Sequence, residues 1–296
     1  MISGKNGDSV QKVLVLGSSG FVGKSIVDAL SKVDLFAINA LSSKDVDLTD
    51  EGLVKSKLPA PIQGAVLIMA AAITRDKDRS IRAMMNNIKM DSNIANLLAE
   101  YPPSHLIYIS SIDVYGRENL ILPLDEESKL QPSNYYAISK MCGEFIFKAA
   151  CSENNIPFTV LRLTALYGPG DTHKSPIKMF IFNALQGKTV TVRGNGSEKR
   201  DFLYIKDTGM VVRFIIQNKI QGVYNVVTGK SVRINYALTM IQELCGHSLD
   251  IAYDSGNKDW DLIFSESTLF KVLPGLKFTE LKTGLRETYE SENIGH

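Results

Sequence analysis

The chain has 296 residues, and its 33 lysines and arginines nearly balance its 32 aspartates and glutamates, which gives a formal charge of +1. With 44% apolar and 22% charged residues, this is the composition of a folded globular protein. The balanced charge argues against nucleic acid as the main partner, because nucleic-acid binders normally carry a basic field.

The three cysteines, Cys142, Cys151 and Cys245, lack the spacing of a disulfide framework or a zinc site. We therefore expect no metal and a reducing, cytoplasmic setting. The longest apolar run, residues 65–73, is less than half the length that crosses a bilayer. The apolar stretch that follows the polar N-terminus is too short for a signal peptide, so we expect neither a membrane partner nor secretion.

Short β-branched runs alternate with helical patterns through the first half of the sequence. The predicted strands are residues 12–16, 35–38, 65–69, 105–109 and 158–163, and the predicted helices are 20–30, 86–100 and 136–151. This alternation predicts an α/β fold with a doubly wound parallel sheet of the Rossmann type.

The pattern changes after Gly168 to a mixture of short strands and helices. The predicted strands here are residues 189–192, 202–205 and 223–227, and the predicted helices are 177–185 and 234–244. We interpret residues 1–168 as a dinucleotide-binding domain. Residues 169–296 are interpreted as a smaller, mixed substrate-binding region that is partly interleaved with the first domain.

A glycine-rich turn follows the first predicted strand and opens the first predicted helix. Glycines in this position let backbone N–H groups approach a pyrophosphate, whose charge the helix N-terminus stabilises. A three-glycine spacing alone also fits an ordinary strand-to-helix turn, but its place between strand and helix favours dinucleotide binding. The predicted contacts are Gly17, Ser19, Gly20, Phe21, Val22 and Gly23.

An acidic residue normally follows the second strand of such a fold, where it binds the adenosine ribose. The strand end here shows no carboxylate and continues into Ser42, Ser43 and Lys44. A carboxylate at that point would repel the 2′-phosphate of NADP, whereas two hydroxyls and a lysine can hold it. The sequence therefore favours NADP, with NAD as the alternative. The predicted cofactor contacts extend to Asp47 and Leu48.

Tyr136 and Lys140 lie four residues apart in a predicted helix and so project from the same face. A lysine ammonium beside a tyrosine hydroxyl favours the phenolate and lowers its pKa from about 10 toward the range useful for acid/base chemistry. Ser111 follows a predicted strand, at the sheet edge where doubly wound folds bind their ligands. Its hydroxyl can hydrogen-bond the same substrate oxygen that Tyr136 protonates.

Five motifs occur in a fixed order along the chain. They are Gly17 to Gly23, Ser111 with Val114-Tyr115-Gly116, Tyr136-x-x-x-Lys140, Arg162 with Tyr167-Gly168-Pro169-Gly170, and Gly194-Asn195-Gly196 leading to Arg200-Asp201-Phe202. Together they resemble an extended short-chain dehydrogenase/reductase of the NAD(P)-dependent nucleotide-sugar epimerase/dehydratase family. The resemblance runs from about residue 12 to Gly284 and Leu285, nearly the whole chain.

The resemblance implies a Ser111–Tyr136–Lys140 catalytic triad and a nucleotide-sugar substrate. Tyr136 would be the general acid/base, Ser111 would polarise the sugar oxygen, and Lys140 would hold the nicotinamide ribose. Arg200 matches an arginine that contacts the substrate diphosphate, although a structural salt bridge to a neighbouring aspartate is the alternative. The resemblance also implies that Ala70 and Ala71 line the cofactor, and that two chains pair through the helix of Tyr136 and the preceding helix as a homodimer.

The residues after Ser111 bear on which reaction is carried out. Dehydratases of this family carry an acidic pair there, but here Ile112 replaces the first acid and only Asp113 remains, as a substrate-side base or a turn cap. Bifunctional epimerase-reductases carry a cysteine at the Asp113 position and a later histidine, and His173 falls too early for this pattern.

Hydride transfer alone therefore remains. It serves either reduction of a 4-keto sugar nucleotide by NADPH or C4 epimerisation on retained NAD, and the absent acidic residue favours the reductase. A non-catalytic dinucleotide sensor is the interpretation from another functional class.

Overall fold

The computed structural model of the protein describes residues 10–172, 175–254 and 260–294. Its strands are β1 (Gln11–Leu16), β2 (Phe36–Leu41), β3 (Val66–Met69), β4 (His105–Ser111), β5 (Phe158–Leu163), β6 (Ala165–Tyr167), β7 (Val190–Arg193), β8 (Lys199–Arg200), β9 (Phe202–Tyr204), β10 (Gly222–Val226), β11 (Val232–Arg233) and β12 (Ile251–Asp254). Its α-helices are α1 (Phe21–Leu30), α2 (Glu51–Lys57), α3 (Pro59–Ile62), α4 (Ile81–Ala95), α5 (Tyr135–Glu153), α6 (Pro176–Leu185), α7 (Ile205–Asn218), α8 (Ile234–Cys245), α9 (Leu269–Val272) and α10 (Leu281–Ile294). A short 3₁₀ helix, Ile112–Tyr115, follows β4.

Within the described residues, a six-stranded sheet has the order β2-β1-β3-β4-β5-β10, and all its strands are parallel. Alternate residues of β1 enter two cores. Val13 and Val15 pack with residues of α1 and α7, whereas Leu14 and Leu16 pack with residues of α4 and α5. Because both faces are buried, these strands read as continuous apolar runs. The predicted Rossmann-type α/β fold is confirmed.

The strand order reverses at β1, which pairs with β2 on one side and β3 on the other. In open parallel sheets, ligands bind at such a switch point, beyond the carboxyl ends of the strands. The observed β4 extends to Ser111, two residues beyond its predicted end. Ser111 therefore lies directly at this edge.

The helix before β4 differs most from its predicted position of residues 86–100. It runs from Ile81 to Ala95, because Ser80 caps it by accepting a hydrogen bond from the Ala83 N–H at 3.2 Å. The capping serine starts the helix earlier than its apolar periodicity suggested. Asn86 and Asn87 consequently lie in its second turn.

Two elements beyond residue 168 belong to the same layers as the sheet. β10 extends the sheet beside β5, and α7 packs against α1. The two helices approach closely at Gly209, where a Cβ would lie 2.2 Å from the carbonyl oxygen of Ser25. The division of the chain at residue 168 stays a prediction.

A separate apolar core lies among β6, α6, β7, β9, α8 and α10, and it includes Tyr167, Ile181, Val192 and Leu238. It holds the short strands of the C-terminal half together next to β6, which pairs with β9. No helix in residues 10–172, 175–254 and 260–294 has the length and apolarity needed to cross a membrane.

Candidate active site

The glycine turn between β1 and α1 leaves no room for a side chain at Gly17 or Gly23. A Cβ on Gly17 would lie 2.6 Å from the backbone nitrogen of Ala71, and a Cβ on Gly23 would lie 2.2 Å from the carbonyl oxygen of Gly17. Gly17 also has a φ of +88°, which favours glycine. The turn thus brings the N-terminus of α1 to the end of β3, and its exposed Gly20 fits the close backbone approach that a pyrophosphate needs.

The turn after β2 contains a carboxylate that the sequence prediction did not consider. Asp45 folds back so that its Oδ2 accepts hydrogen bonds from the Ser42 N–H at 2.8 Å and the Ser42 hydroxyl at 2.7 Å. These hydrogen bonds hold the pKa of Asp45 below its ordinary value. The segment from Ile38 to Lys44 has no carboxylate, as predicted, but the Asp45 carboxylate reaches back to its Ser42. Ser43 and Lys44 are exposed beside it.

Asp47 and Leu48 continue this segment. The Asp47 carboxylate accepts hydrogen bonds from the Thr49 N–H and hydroxyl at 2.9 and 2.8 Å, which lower the pKa of Asp47. Leu48 is buried, and its carbonyl oxygen accepts a hydrogen bond from the Asn93 side chain at 2.8 Å. Asn93 thereby ties the segment to α4.

A cleft opens at the carboxyl edge of the sheet. It brings together the predicted residues Gly20, Phe21, Val22, Gly23, Ala70, Ser111, Asp113, Tyr136 and Lys140. The lining that the structure describes also includes residues absent from the sequence prediction, namely Ala72, Thr74, Arg75, Asp76, Lys77, Thr164, Asp171 and Ser175. The predicted residues Gly17, Ser19, Ser42, Ser43, Lys44, Asp47, Leu48, Ala71 and Arg200 are not among that described lining.

Tyr136 and Lys140 are positioned by the first turns of α5. Asn134 caps the helix by accepting a hydrogen bond from the Ala137 N–H at 3.0 Å. Ser139 donates to the Tyr136 carbonyl oxygen at 2.8 Å and accepts a hydrogen bond from Asn87 of α4 at 3.1 Å. These contacts fix the rotation of α5, so that Tyr136 and Lys140 both line the cleft.

The prediction that Lys140 lowers the pKa of Tyr136 is wrong. Burial raises the pKa of Tyr136 well above its ordinary value, the Asp113 charge raises it further, and the cation that opposes them is Arg75. The Lys140 ammonium instead donates to the Ile109 carbonyl oxygen of β4 at 2.8 Å. In this arrangement Tyr136 keeps its proton and is suited to act as a proton donor.

Ser111 ends β4, and Asp113 lies on the short 3₁₀ helix that follows it. The Ser111 hydroxyl accepts a hydrogen bond from the Asp113 N–H at 3.1 Å and so caps this helix. The Asp113 carboxylate lies 3.0 Å from Arg75 Nη1 and 3.7 Å from Arg117 Nη2. The sequence analysis predicted neither arginine as a site residue, although Arg75 follows β3 at the edge where ligands are expected.

A buried ion pair supports the strand that carries Ser111. Glu144 of α5 binds Arg162 of β5 through two oxygens, at 3.0 Å to Nε and 2.7 Å to Nη2. Ser110 donates to the same carboxylate at 2.5 Å, and Arg162 also donates to the Tyr115 hydroxyl at 2.8 Å. Burial lowers the pKa of Arg162, but Glu144 outweighs it and the pKa is raised overall. This network ties α5, β4 and β5 together beside the cleft.

Arg200 lies on β8, which pairs with β11. Its guanidinium donates to the carbonyl oxygens of Lys199, at 2.8 Å, and Trp260. The alternative salt-bridge partners are engaged elsewhere, Asp201 with Thr228 and Asp207 with Thr279. The role of Arg200 at a diphosphate stays a prediction, and His173 lies outside the described residues.

A model of the NAD dependent epimerase/dehydratase family matches residues 13–227, well over half of the chain. The chain belongs to this family. Membership accounts for the glycine turn, the cleft at the switch point and the pairing of Tyr136 with Lys140 on one helix.

One relative in this family is a putative UDP-glucose 4-epimerase of Methanocaldococcus jannaschii, 26% identical over 82% of this chain and 85% of its own. The fold is similar to that of a Thermus thermophilus UDP-glucose 4-epimerase solved with NAD, with a TM-score of 0.82, 21% identity, and coverage of 95% of this chain and 99% of that one. It is also similar to that of RMD from Pseudomonas aeruginosa, solved with NADPH, with a TM-score of 0.85, 24% identity, and coverage of 97% and 100%. At these identities the two solved structures show only that the fold is similar.

Proposed function

We propose that this family member interconverts nucleotide sugars that differ at C4 of the sugar, by hydride transfer to and from a retained NAD. The observation that carries this choice is the Asp45 carboxylate on Ser42. It lies in the turn that follows the strand end where NAD-binding sites place an acidic residue, and it engages Ser42, one of the donors that a 2′-phosphate would need. The relative named as a UDP-glucose 4-epimerase supports the same reaction.

The residues of the cleft fit this cofactor. The turn from Gly17 to Gly23 would hold the pyrophosphate at the N-terminus of α1, because Gly17 and Gly23 admit no Cβ and so keep the backbone tightly turned, with Gly20 exposed. Lys140 would hold the nicotinamide ribose, and Ala70 would line the ring. When bound, the nicotinamide accepts and returns a hydride and brings a positive charge to the cleft in its oxidised form.

The chain's own residues then handle the sugar oxygen. During oxidation the C4–H bond would break as a hydride leaves, and Tyr136 would take the hydroxyl proton as a phenolate, whose formation the positive charge of the oxidised cofactor favours against the effect of burial. During re-reduction the hydride returns to the opposite face of C4, and Tyr136 gives the proton back. Ser111 holds the same oxygen by a hydrogen bond throughout, which stabilises the charge that develops on it.

Dehydration lacks the acidic residue next to Asp113 that dehydratases of the family carry. Ile112 stands where dehydratases of the family carry the first member of an acidic pair, and its side chain is buried in an apolar cluster with Val114 and Tyr115. Asp113 is paired with Arg75 and Arg117. These contacts support a role for Asp113 in charge balance and substrate orientation.

Reduction of a 4-keto sugar nucleotide by exchangeable NADPH is the second candidate. Ser43 and Lys44 are exposed beside Ser42 and offer a hydroxyl and an ammonium to a 2′-phosphate. The same Tyr136 and Ser111 would serve this reaction, with Tyr136 acting only as a donor.

The deciding experiment is to denature the purified protein and identify the nucleotide that it releases. Released NAD, together with C4 epimerisation of a nucleotide sugar without added cofactor, is the expected result. An empty protein that consumes NADPH with a 4-keto sugar nucleotide would overturn this proposal in favour of the reductase. Binding of NAD and nucleotide sugar with no oxidation or reduction of either would instead indicate a sensor.

A matched pair of variants tests the role of Asp45. Asp45→Asn should raise the affinity for NADPH relative to NADH, because it removes the negative charge beside the ribose. Asp28→Asn removes an exposed carboxylate from α1 and should leave the ratio unchanged. If the ratio of NADPH affinity to NADH affinity is the same in Asp45→Asn and in the unmodified protein, Asp45 does not select NAD.

A further inference from the structure

A cluster of buried polar side chains surrounds Lys140 outside the predicted triad. Asp91 of α4, Tyr108 of β4 and Lys140 of α5 are 3%, 1% and 4% exposed. The Tyr108 hydroxyl donates to Asp91 Oδ2 at 3.0 Å, and Lys140 Nζ lies 4.7 Å from the centre of the Tyr108 ring. Tyr108 therefore contacts both the carboxylate and the ammonium.

The backbone of α5 leaves space for this cluster at one position. A Cβ on Gly143 would lie 2.1 Å from the Tyr108 hydroxyl oxygen and 2.4 Å from Asp91 Oδ2. Any larger residue at Gly143 would displace the carboxylate or the tyrosine. The two helices and β4 thus meet closely around the Asp91 side chain.

Burial makes each charge in the cluster depend on its neighbours. It raises the pKa of Asp91 to about 7, against the opposing effects of Lys140 and the Tyr108 hydrogen bond. Burial also lowers the pKa of Lys140, and the charges that raise it are Asp91 and Glu144. Of these two carboxylates, Glu144 forms an ion pair with Arg162. In the described contacts, Asp91 accepts its hydrogen bond from the uncharged Tyr108 hydroxyl and from no cation. Around it, Tyr108 faces Asp91 from β4.

A further titratable group near Asp91 is Cys142 of α5, whose pKa is raised by burial and by the Asp91 charge. Cys142 carries no charge at neutral pH, so it does not compensate for either member of the cluster. Within this cluster, the negative charge of Asp91 and the positive charge of Lys140 therefore compensate each other.

We propose that Asp91 is a positioning residue whose buried negative charge keeps Lys140 protonated and so sets the pH range in which the cofactor is held. The proposal rests on the proposed function in one respect, the contact of Lys140 with the nicotinamide ribose. Asp91 itself acts through Lys140 and touches neither cofactor nor substrate.

The first test needs no nucleotide and is independent of the proposed function. Carbon-13 NMR of the aspartate carboxyls should show, among the carboxyls whose pKa burial raises, one that titrates at a pKa of about 7, and Asp91→Asn should remove it. Lys140→Met should move this titration to higher pH, whereas Lys140→Arg, which keeps the positive charge, should leave it near its original position. The same titration in the unmodified protein and in Lys140→Met would overturn the coupling.

The second test measures nucleotide affinity against pH in folded variants, with circular dichroism as the check on folding. In Asp91→Asn the alkaline loss of NAD affinity should begin about one pH unit lower, a tenfold change in the proton affinity of the lysine. Asp34→Asn removes an exposed carboxylate and should leave the profile unchanged. An unshifted profile in folded Asp91→Asn would overturn the proposal. An unmodified protein that binds neither NAD nor NADPH would overturn the proposed function, and the carboxyl titration would then decide the role of Asp91.

Discussion

Arg75 on the loop after β3 and Asp113 on the short helix after β4 form an ion pair at the cleft, with 3.0 Å between Nη1 and Oδ2. Both act on Tyr136, but in opposite directions. Asp113 raises the pKa of Tyr136 and Arg75 lowers it, on top of the larger rise that burial causes. The pair therefore adjusts the acidity of the proposed proton carrier.

The first prediction is that substitutions of Asp113 and of Arg75 shift one limb of the pH profile of kcat/KM in opposite directions. Asp113→Asn removes the negative charge near Tyr136, so the limb of the kcat/KM profile assigned to this tyrosine should move to lower pH. Arg75→Gln removes the positive charge and should move the same limb to higher pH. Arg82→Gln, an exposed position on α4, is the control. Shifts in the same direction would show that the pair acts on some other group.

The second prediction compares two adjacent tyrosines of α5. Tyr136→Phe should lower turnover by about 10²- to 10⁴-fold, the usual contribution of a general acid/base, and should leave nucleotide binding intact. Tyr135→Phe should leave both unchanged, since Tyr135 is 45% exposed. Turnover and fluorescence titration with NAD measure the two effects. Activity that survives in Tyr136→Phe would assign the proton transfer to another residue.

The sheet and its edge were predictable because their signals are local. A buried parallel strand reads as an apolar run, and glycines between Leu16 and Phe21 mark a strand-to-helix turn. Hence the family, the parallel sheet and the placement of Ser111 and Tyr136 at one cleft follow from the order of the motifs.

Side-chain directions and long-range partners were not predictable in the same way. Lys140 is four residues from Tyr136, but its ammonium binds the Ile109 carbonyl oxygen, which only tertiary packing brings there. Asp91 reads as a polar residue on an amphipathic helix, although it is buried against Tyr108. Asp45 was missed because a side chain that folds back onto a preceding strand end leaves no periodic signal.

The third prediction concerns the buried pair of Glu144 and Arg162. Arg162→Leu should lower the free energy of unfolding by about 3–5 kcal/mol, because it leaves the Glu144 carboxylate buried without its cation. Urea denaturation measures this loss. Lys55→Gln breaks an exposed pair with Glu51, 2.6 Å apart, and should cause no measurable change. Equal effects of the two substitutions would mean that Glu144 is not buried as described.

The homodimer that the family resemblance implies is the basis of the last prediction. α4 and α5 pack together, and they expose apolar side chains that a second chain can cover: Ile81 is 57% exposed, Met85 55% and Phe145 56%. Exposed apolar side chains grouped on two packed helices are typical of interaction surfaces. We therefore expect two chains to pair through these helices.

Phe145→Asp places a charge on this surface and should raise the dissociation constant of the dimer by about 30-fold or more, the effect of losing about 2 kcal/mol at an interface. Leu35→Asp makes the same change at a residue 43% exposed in the turn before β2 and should leave the dimer intact. Light scattering over a concentration series distinguishes the two variants. A monomeric unmodified protein, or a Phe145→Asp variant that still dimerises as tightly, would mean that α4 and α5 do not form the interface.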